Sequence, residues 1–203
     1  MTAEAKKKLV MRRVDLVDSE TNQNILIRQA CSNREDFARL YRMNYERVFR
    51  YCCRRLFNRH NAEEVTSTVF FRVMRTIHTF EGNYDGFRNW LYRIATNSVN
   101  DYLKTSKRQT EVIKNAVQHQ GHGQVFACES DDELQKKNLA VKQALLSLKP
   151  KYQTVITLRY FEKMKLIEIA EILGQNPATI RTQLARALSK LRKELRAAGL
   201  LEP

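Results

Sequence analysis

Apolar residues in this chain recur mainly at three- and four-residue intervals, the spacing that gathers them on one side of an α-helix. From Asp36 to Leu56 the stripe is Phe37, Tyr41, Tyr45, Val48, Cys52 and Leu56, with Arg50, Arg54 and Arg55 interspersed and Arg59 just beyond. Asn61, with Glu64 three residues later, predicts a reciprocally capped start for the next helix. The inner stripe of that helix is Val65, Val69, Val73 and Ile77. Two glycines in the stretch Glu81 to Gly86 interrupt the pattern, and Phe87, Trp90, Leu91, Ile94 and Tyr102 carry a further helix. These stripes predict a helical domain over residues 25–106. The preceding 1–24 read as a charged arm, partly helical between Leu9 and Val17.

Between residues 107 and 132 the periodicity fails, and a polar stretch with His-Gln-Gly-His-Gly at 119–123 reads as a linker. Over 133–203 it returns. Leu139, Leu145, Leu146 and Leu148 form one stripe, Lys149-Pro150 a break, and Tyr152, Val155, Ile156, Tyr160 and Phe161 another. Then come two amphipathic segments separated by a short turn. Ile169, Ile172 and Leu173 mark the first, with Ala170 small enough for a second helix to cross close by. Gly174 can take the positive φ that ends a helix, and Asn176 before Pro177 restarts one with a cap and a proline at the first helical position. Ile180, Leu184, Leu188 and Leu191 turn inward in the second segment, leaving Thr179, Arg181, Thr182, Arg186, Ser189 and Lys190 outside. This is the pattern of a helix-turn-helix, whose second helix enters the major groove. An ordinary helical hairpin with a solvated basic face has the same local pattern.

Composition narrows the class. Only 6 glycines and 3 prolines, with few strand-like alternations, predict an all-α protein of two small helical domains on a flexible linker. Thirty-six Lys and Arg against 22 Asp and Glu give a formal charge of +14, which favours a polyanionic partner; nucleic acid and an anionic membrane surface both qualify. No apolar run is long enough to span a bilayer and the first residues lack the apolar core of a signal peptide, so the expectation is a cytoplasmic protein without membrane insertion. Cys31, Cys52, Cys53 and Cys128 have no paired zinc spacing, and Cys52 and Cys53 read as small apolar fillers. His119, His122 and Cys128 are the one set that suggests a metal, but they lie in a polar, glycine-containing stretch, so neither metal nor other cofactor is expected.

Three stretches together resemble a known family. Ala144-Leu-Leu-Ser-Leu-Lys-Pro-Lys-Tyr-Gln-Thr-Val-Ile-Thr-Leu-Arg-Tyr-Phe161, with the helix-turn-helix after it, is similar to region four of bacterial sigma factors. Phe87-Arg-Asn-Trp-Leu-Tyr-Arg-Ile-Ala-Thr-Asn97 is similar to the region-two signature of the extracytoplasmic-function (ECF) group of the sigma-70 family, and Ala62-Glu-Glu-Val-Thr-Ser-Thr-Val-Phe-Phe71 resembles the segment preceding it. The likeness covers about residues 30 to 196, in the family's order.

The resemblance implies a non-enzymatic factor that binds core RNA polymerase and directs it to promoter DNA. It puts Glu63, Glu64, Ser67 and Thr68 against the clamp helices of the beta-prime subunit, with the beta flap as a second contact. Family members usually carry a glutamine and an acid where this chain has Ser67 and Thr68. Arg72, Thr76, Phe80 and Asn97 fall where such factors hold a melted minus-ten element, with the 81–86 loop beside them. An aromatic can stack on an unpaired base, an amide can read its edge and arginines can hold the backbone. Thr179, Arg181, Thr182, Ala185 and Arg186 occupy the family's minus-35 reading positions, where arginine can bond guanine bidentately or grip phosphate. An anti-sigma factor is a further partner that the resemblance suggests. Two other readings compete: a helix-turn-helix operator binder that works without polymerase, and a metal-dependent nucleic-acid hydrolase built on His119, His122 and Cys128.

Overall fold

The computed structural model describes residues 22–116 and 132–201, with side chains given for 22–107 and 139–201. Every regular element in them is helical. The helices are α1 (22–30), α2 (Arg34–Leu56), α3 (Arg59–Thr76), α4 (Tyr84–Ala116), α5 (Asp132–Leu146), α6 (Pro150–Ile156), α7 (Leu166–Leu173) and α8 (Pro177–Ala197). A 3-10 turn, Ile77–Thr79, ends α3, and a π turn, Thr157–Phe161, ends α6. The expected helix between Leu9 and Val17 and the His119, His122, Cys128 set lie outside the described residues.

Local chemistry sets the boundaries. The side chain of Asn33 accepts the amide of Glu35 at 2.8 Å to open α2. The cap of α3 is Asn58, whose side chain accepts the Asn61 amide at 3.0 Å, rather than Asn61 itself. Both asparagines carry the same acceptor, and the backbone is extended at Asn58, so the helix starts one turn earlier than the Asn61–Glu64 spacing predicts. Residues 22–24, assigned by sequence to the arm, already belong to a helix that buries Leu26, Ile27 and Ala30.

Helices α2, α3 and α4 pack together as the first bundle. Val48, Tyr51 and Cys52 of α2 meet Ala62, Val65, Val69 and Val73 of α3 and Phe87, Leu91, Ala95 and Val99 of α4, all buried. Tyr51 is wholly inside and its hydroxyl shares a 2.7 Å hydrogen bond with Thr96, which removes the cost of burying a phenol. In the C-terminal part α5 packs through Ala144 and Leu145, with Leu148 buried just beyond it, while Leu139 and Leu146, placed inward by their spacing, are exposed. Ile180 and Ala187 anchor α8 from within.

The two parts touch closely. Val155, Leu158, Met164, Ile169, Ala170, Ile172 and Ile180 join the same continuous core as the first bundle. Polar ties flank this seam: Arg88 of α4 pairs with Glu168 at 2.9 Å, and Asn89 donates to Glu171 at 2.9 Å. Glu162 accepts from Arg54 at 3.1 Å and from the Tyr92 hydroxyl. Burial and then the Glu162 charge push the Tyr92 phenol far above its ordinary range, which keeps it a donor. Arg55 is 1% exposed and forms no ion pair among the described residues; Gln153 accepts from it at 2.9 Å and Asn100 at 3.3 Å.

Burial also sets a chemical prediction. Desolvation pushes the Cys52 thiol from near 9 up to about 12. A raised folded value adds stability that is fully present below pH 9 and is lost as pH rises toward 12. Stability should therefore fall above pH 9 by up to about 1.4 kcal/mol per pH unit from this group, reduced in Cys52→Ala. Peptide mapping after iodoacetamide at pH 8 should show Cys52 alkylated only once the chain unfolds; rapid native labelling would contradict the buried placement.

Candidate nucleic-acid and polymerase interface

The C-terminal reading face begins at a turn with defined chemistry. Gly174 adopts the left-handed conformation at φ 61° and its amide returns to the carbonyls of Ala170 and Glu171. Two residues later the Asn176 side chain accepts the Ala178 amide at 2.8 Å and Pro177 fills the first helical position. This stop and restart aims α8 with its inner stripe on the core. Thr179, Arg181, Thr182, Ala185 and Arg186 all lie exposed on it. Arg181 and Arg186 form no ion pair among the described residues. The Thr182 hydroxyl donates to its own helix at the Ala178 carbonyl, 3.0 Å away, so its proton is already engaged. Gln183 donates to Gln175 at 2.7 Å, fastening the helix to the turn before it.

In the first bundle the four expected residues fall along the seam of α3 and α4. Arg72 donates to Ser98 at 3.2 Å and to Asp101 at 3.1 Å. At the other end Phe80 lies 5.7 Å from the Phe87 ring and 5.4 Å from that of Trp90. Moving from 72 to 80 thus runs down α4 from 101 to 87, so the seam is antiparallel and Thr76 falls between its ends. Asn97 is exposed one turn before Asp101 on α4, which puts it in the neighbourhood of Arg72. Trp90 is seven residues further back, about 10 Å along the axis. The expected residues therefore share one strip but form two groups, a polar one at Arg72 and Asn97 and an aromatic one at Phe80, which packs beside Trp90.

The 81–86 loop closes over the aromatic group. A β-carbon on Gly82, at φ 147°, would come within 3.0 Å of the Phe80 ring, so only glycine lets the loop sit this close. Phe80 and Trp90 are half-buried and pack on the core. Asp101, which sequence reasoning missed, fixes Arg72 and adds a carboxylate to the strip. Its position one turn after Asn97 was the available signal.

The outer side of α3 carries the third group. Glu63 is tied to Arg59 at 2.8 Å, while Glu64 is exposed. Ser67 donates to the Glu63 carbonyl and Thr68 to that of Glu64, each at 3.1 Å, so both hydroxyls are turned back onto the helix. One turn further Phe71 and Met74 are 54% and 52% exposed, which makes this face more apolar than its charges suggest. The Arg75 guanidinium lies 5.8 Å over the Phe71 ring. No cluster of three or more metal-ligating side chains occurs among the described residues, and no described helix is long and apolar enough to cross a membrane.

Known proteins fit this arrangement part by part. Residues 40–109 match sigma-70 region 2, and residues 138–191 match sigma-70 region 4. The chain is 33% identical over 171 residues to the ECF RNA polymerase sigma factor SigW of Bacillus subtilis, across 81% of this chain and 91% of that one. It is 32% identical over 167 residues to the RNA polymerase sigma factor YlaC of the same organism, across 80% and 94%. Among solved structures, CnrH in complex with the cytosolic domain of CnrY has a similar fold, with TM-score 0.63 at 19% identity over 86% of this chain and 97% of that one. The sigma factor RpoE in complex with the anti-sigma factor NepR from Bartonella quintana aligns with TM-score 0.62 at 21% identity, over 80% and 98%. A free-standing operator binder leaves residues 40–109 without a purpose, whereas two sigma regions in order and a full-length relative at one-third identity account for both halves. The chain belongs to the ECF group of the sigma-70 family and is a promoter-directing RNA polymerase sigma factor.

Proposed function

We propose that the two parts of the chain divide promoter recognition. The C-terminal part takes the minus-35 duplex through Thr179, Arg181, Thr182, Ala185 and Arg186 of α8. The α3–α4 strip takes the melted minus-ten element through Arg72, Thr76, Phe80 and Asn97. The observation that carries this reading is the pair of exposed arginines without ion-pair partners on α8, immediately beyond a turn that orients the helix. A guanidinium with its five donors free can bond a guanine edge bidentately, whereas one already held by a carboxylate has to break that bond first. On the strip, Asn97 offers an amide to a base edge, and Arg72 stays positioned by Asp101 for the sugar-phosphate chain.

Glu63, Glu64, Ser67 and Thr68 on the outer side of α3 form the proposed contact with the beta-prime clamp helices, and the C-terminal part meets the beta flap. The chain itself performs no chemistry in this scheme; the polymerase makes the bonds, and the factor supplies recognition and capture of opened DNA in the cytoplasm. An anti-sigma factor is a further proposed partner, supported by the relative that is held by one.

Replacing Arg181 or Arg186 with alanine should weaken minus-35 duplex binding by about 1–3 kcal/mol and leave polymerase binding unchanged. Fluorescence anisotropy with a labelled duplex, beside a pull-down with core polymerase, measures both. Unaltered promoter affinity in both variants would mean that a different face reads the DNA.

Asn97→Ala has a separate signature. Polymerase carrying it should reach the promoter but form open complexes poorly, and a template already unpaired over the minus-ten element should restore part of the loss, since a few kcal/mol of unstacking is then supplied in advance. Permanganate footprinting of unpaired thymines on the two templates separates the cases. Normal opening on fully paired DNA would eliminate this role for Asn97.

A further inference from the structure

Beside the seam between the two parts lies a cavity of about 350 Å³ that no promoter or polymerase contact above uses. Three of its side chains, Arg47, Arg50 and Arg54, come from one face of α2 at spacings of three and four residues. Arg88 comes from α4, and Lys163 from the turn after α6. The acids here are fewer. Glu46 pairs with Arg50 at 2.7 Å, Glu162 with Arg54 at 3.1 Å and Glu168 with Arg88 at 2.9 Å. Arg47 and Lys163 have no ion pair among the described residues, so five cations face three carboxylates.

Two further observations set this basin apart from an ordinary basic surface. Lys163 is not glycine, yet its backbone sits in the left-handed region at φ 55°. Such a conformation is uncommon for a residue that carries a side chain. The Nε of Arg88 is buried without a hydrogen-bond partner, although one of its terminal nitrogens is held by Glu168. A buried guanidinium nitrogen left unmet carries a desolvation cost.

We propose that this basin is a binding site for a compact phosphate anion, a diphosphate either free or carried by a nucleotide. Planar guanidiniums from two helices, with a lysine opposite, suit tetrahedral oxyanions that present several acceptors to several donors at once. The two unpaired cations match the concentrated charge of a diphosphate better than the single charge of a carboxylate, a place Glu162 already takes. Phe161, exposed at the wall with the Arg54 guanidinium 4.8 Å from its ring centre, offers a surface on which a base can rest. The basin is assembled only while the turn after α6 lies against α2 and α4. An anion held there therefore favours the docked arrangement of the two parts by linkage, whatever the DNA-reading roles of α8 and the α3–α4 strip.

The test is titration calorimetry on the full chain with sodium pyrophosphate, and separately with ADP, at fixed ionic strength. Arg47→Gln with Lys163→Gln removes the two unpaired charges; both residues are exposed and the fold should survive, which far-ultraviolet dichroism checks. Arg28→Gln with Arg34→Gln removes the same charge from exposed positions outside the basin and outside every proposed contact. The native chain should bind one anion per molecule, the basin variant roughly tenfold more weakly, and the control within about twofold of native. Pyrophosphate should also raise the melting temperature of the native chain and not of the basin variant. Tighter binding of ADP would identify a nucleotide as the source, and equal binding a free diphosphate; either sustains the site. No saturable binding by the native chain, unchanged affinity in the basin variant, or an equal loss in the control, which marks diffuse charge attraction, would overturn it.

Discussion

Burial of α4 on two sides is the constraint that organises this protein. Phe87, Leu91, Ala95 and Val99 form one stripe that closes the first bundle against α2 and α3. Arg88, Asn89 and Tyr92 on an adjoining side meet the C-terminal part. A helix committed on both sides leaves a narrow remainder, and Asn97 and Asp101 occupy it. The proposed strip for melted DNA is what remains of α4 once packing has taken its share. Its placement follows from the core rather than from any separate device.

Charge is divided unevenly across the seam. Glu162, Glu168 and Glu171 all belong to the C-terminal part, and their partners Arg54, Tyr92, Arg88 and Asn89 all belong to the first. In a chain with a formal charge of +14, these acids are lent to the junction rather than to the reading face of α8. Arg55 is the exception to this pairing. Two amides hold its buried guanidinium, which satisfies several of its donors but provides no opposite charge, and its Nε has no partner. Such a group is costly to bury, so the seam is weaker at its centre than its apolar contacts suggest.

Much of this was legible in the sequence because it depends on period and on caps. The α3 stripe is buried as spaced, with Ile77 carried by the 3-10 turn, and Gly174, Asn176 and Pro177 perform the expected stop and restart. The positions of Arg181 and Arg186 followed directly from that restart. What escaped notice depends on contacts between distant residues. Glu168 and Glu171 have the spacing of a solvated helix face, and nothing local says that they meet residues some eighty positions earlier. Leu139 and Leu146 follow a helical period but lie outside, because α5 is held through Ala144 and Leu145 instead. The hydroxyls of Ser67 and Thr68 look available in the sequence, yet both point back to carbonyls one turn earlier. A side chain's own helix is often its nearest partner, and composition does not reveal it.

The seam between the two parts sets a limit on reach. A folded chain of this length has a radius of gyration of about 17 Å, hence a body about 45 Å across. Promoter elements named minus-35 and minus-ten lie about 25 base pairs apart, or about 85 Å along straight duplex at 3.4 Å per pair. A factor that reads both elements together has to undo the seam. The ties at Glu162, Glu168 and Glu171 then act as a threshold, which contacts with polymerase and DNA must exceed before the span can be bridged.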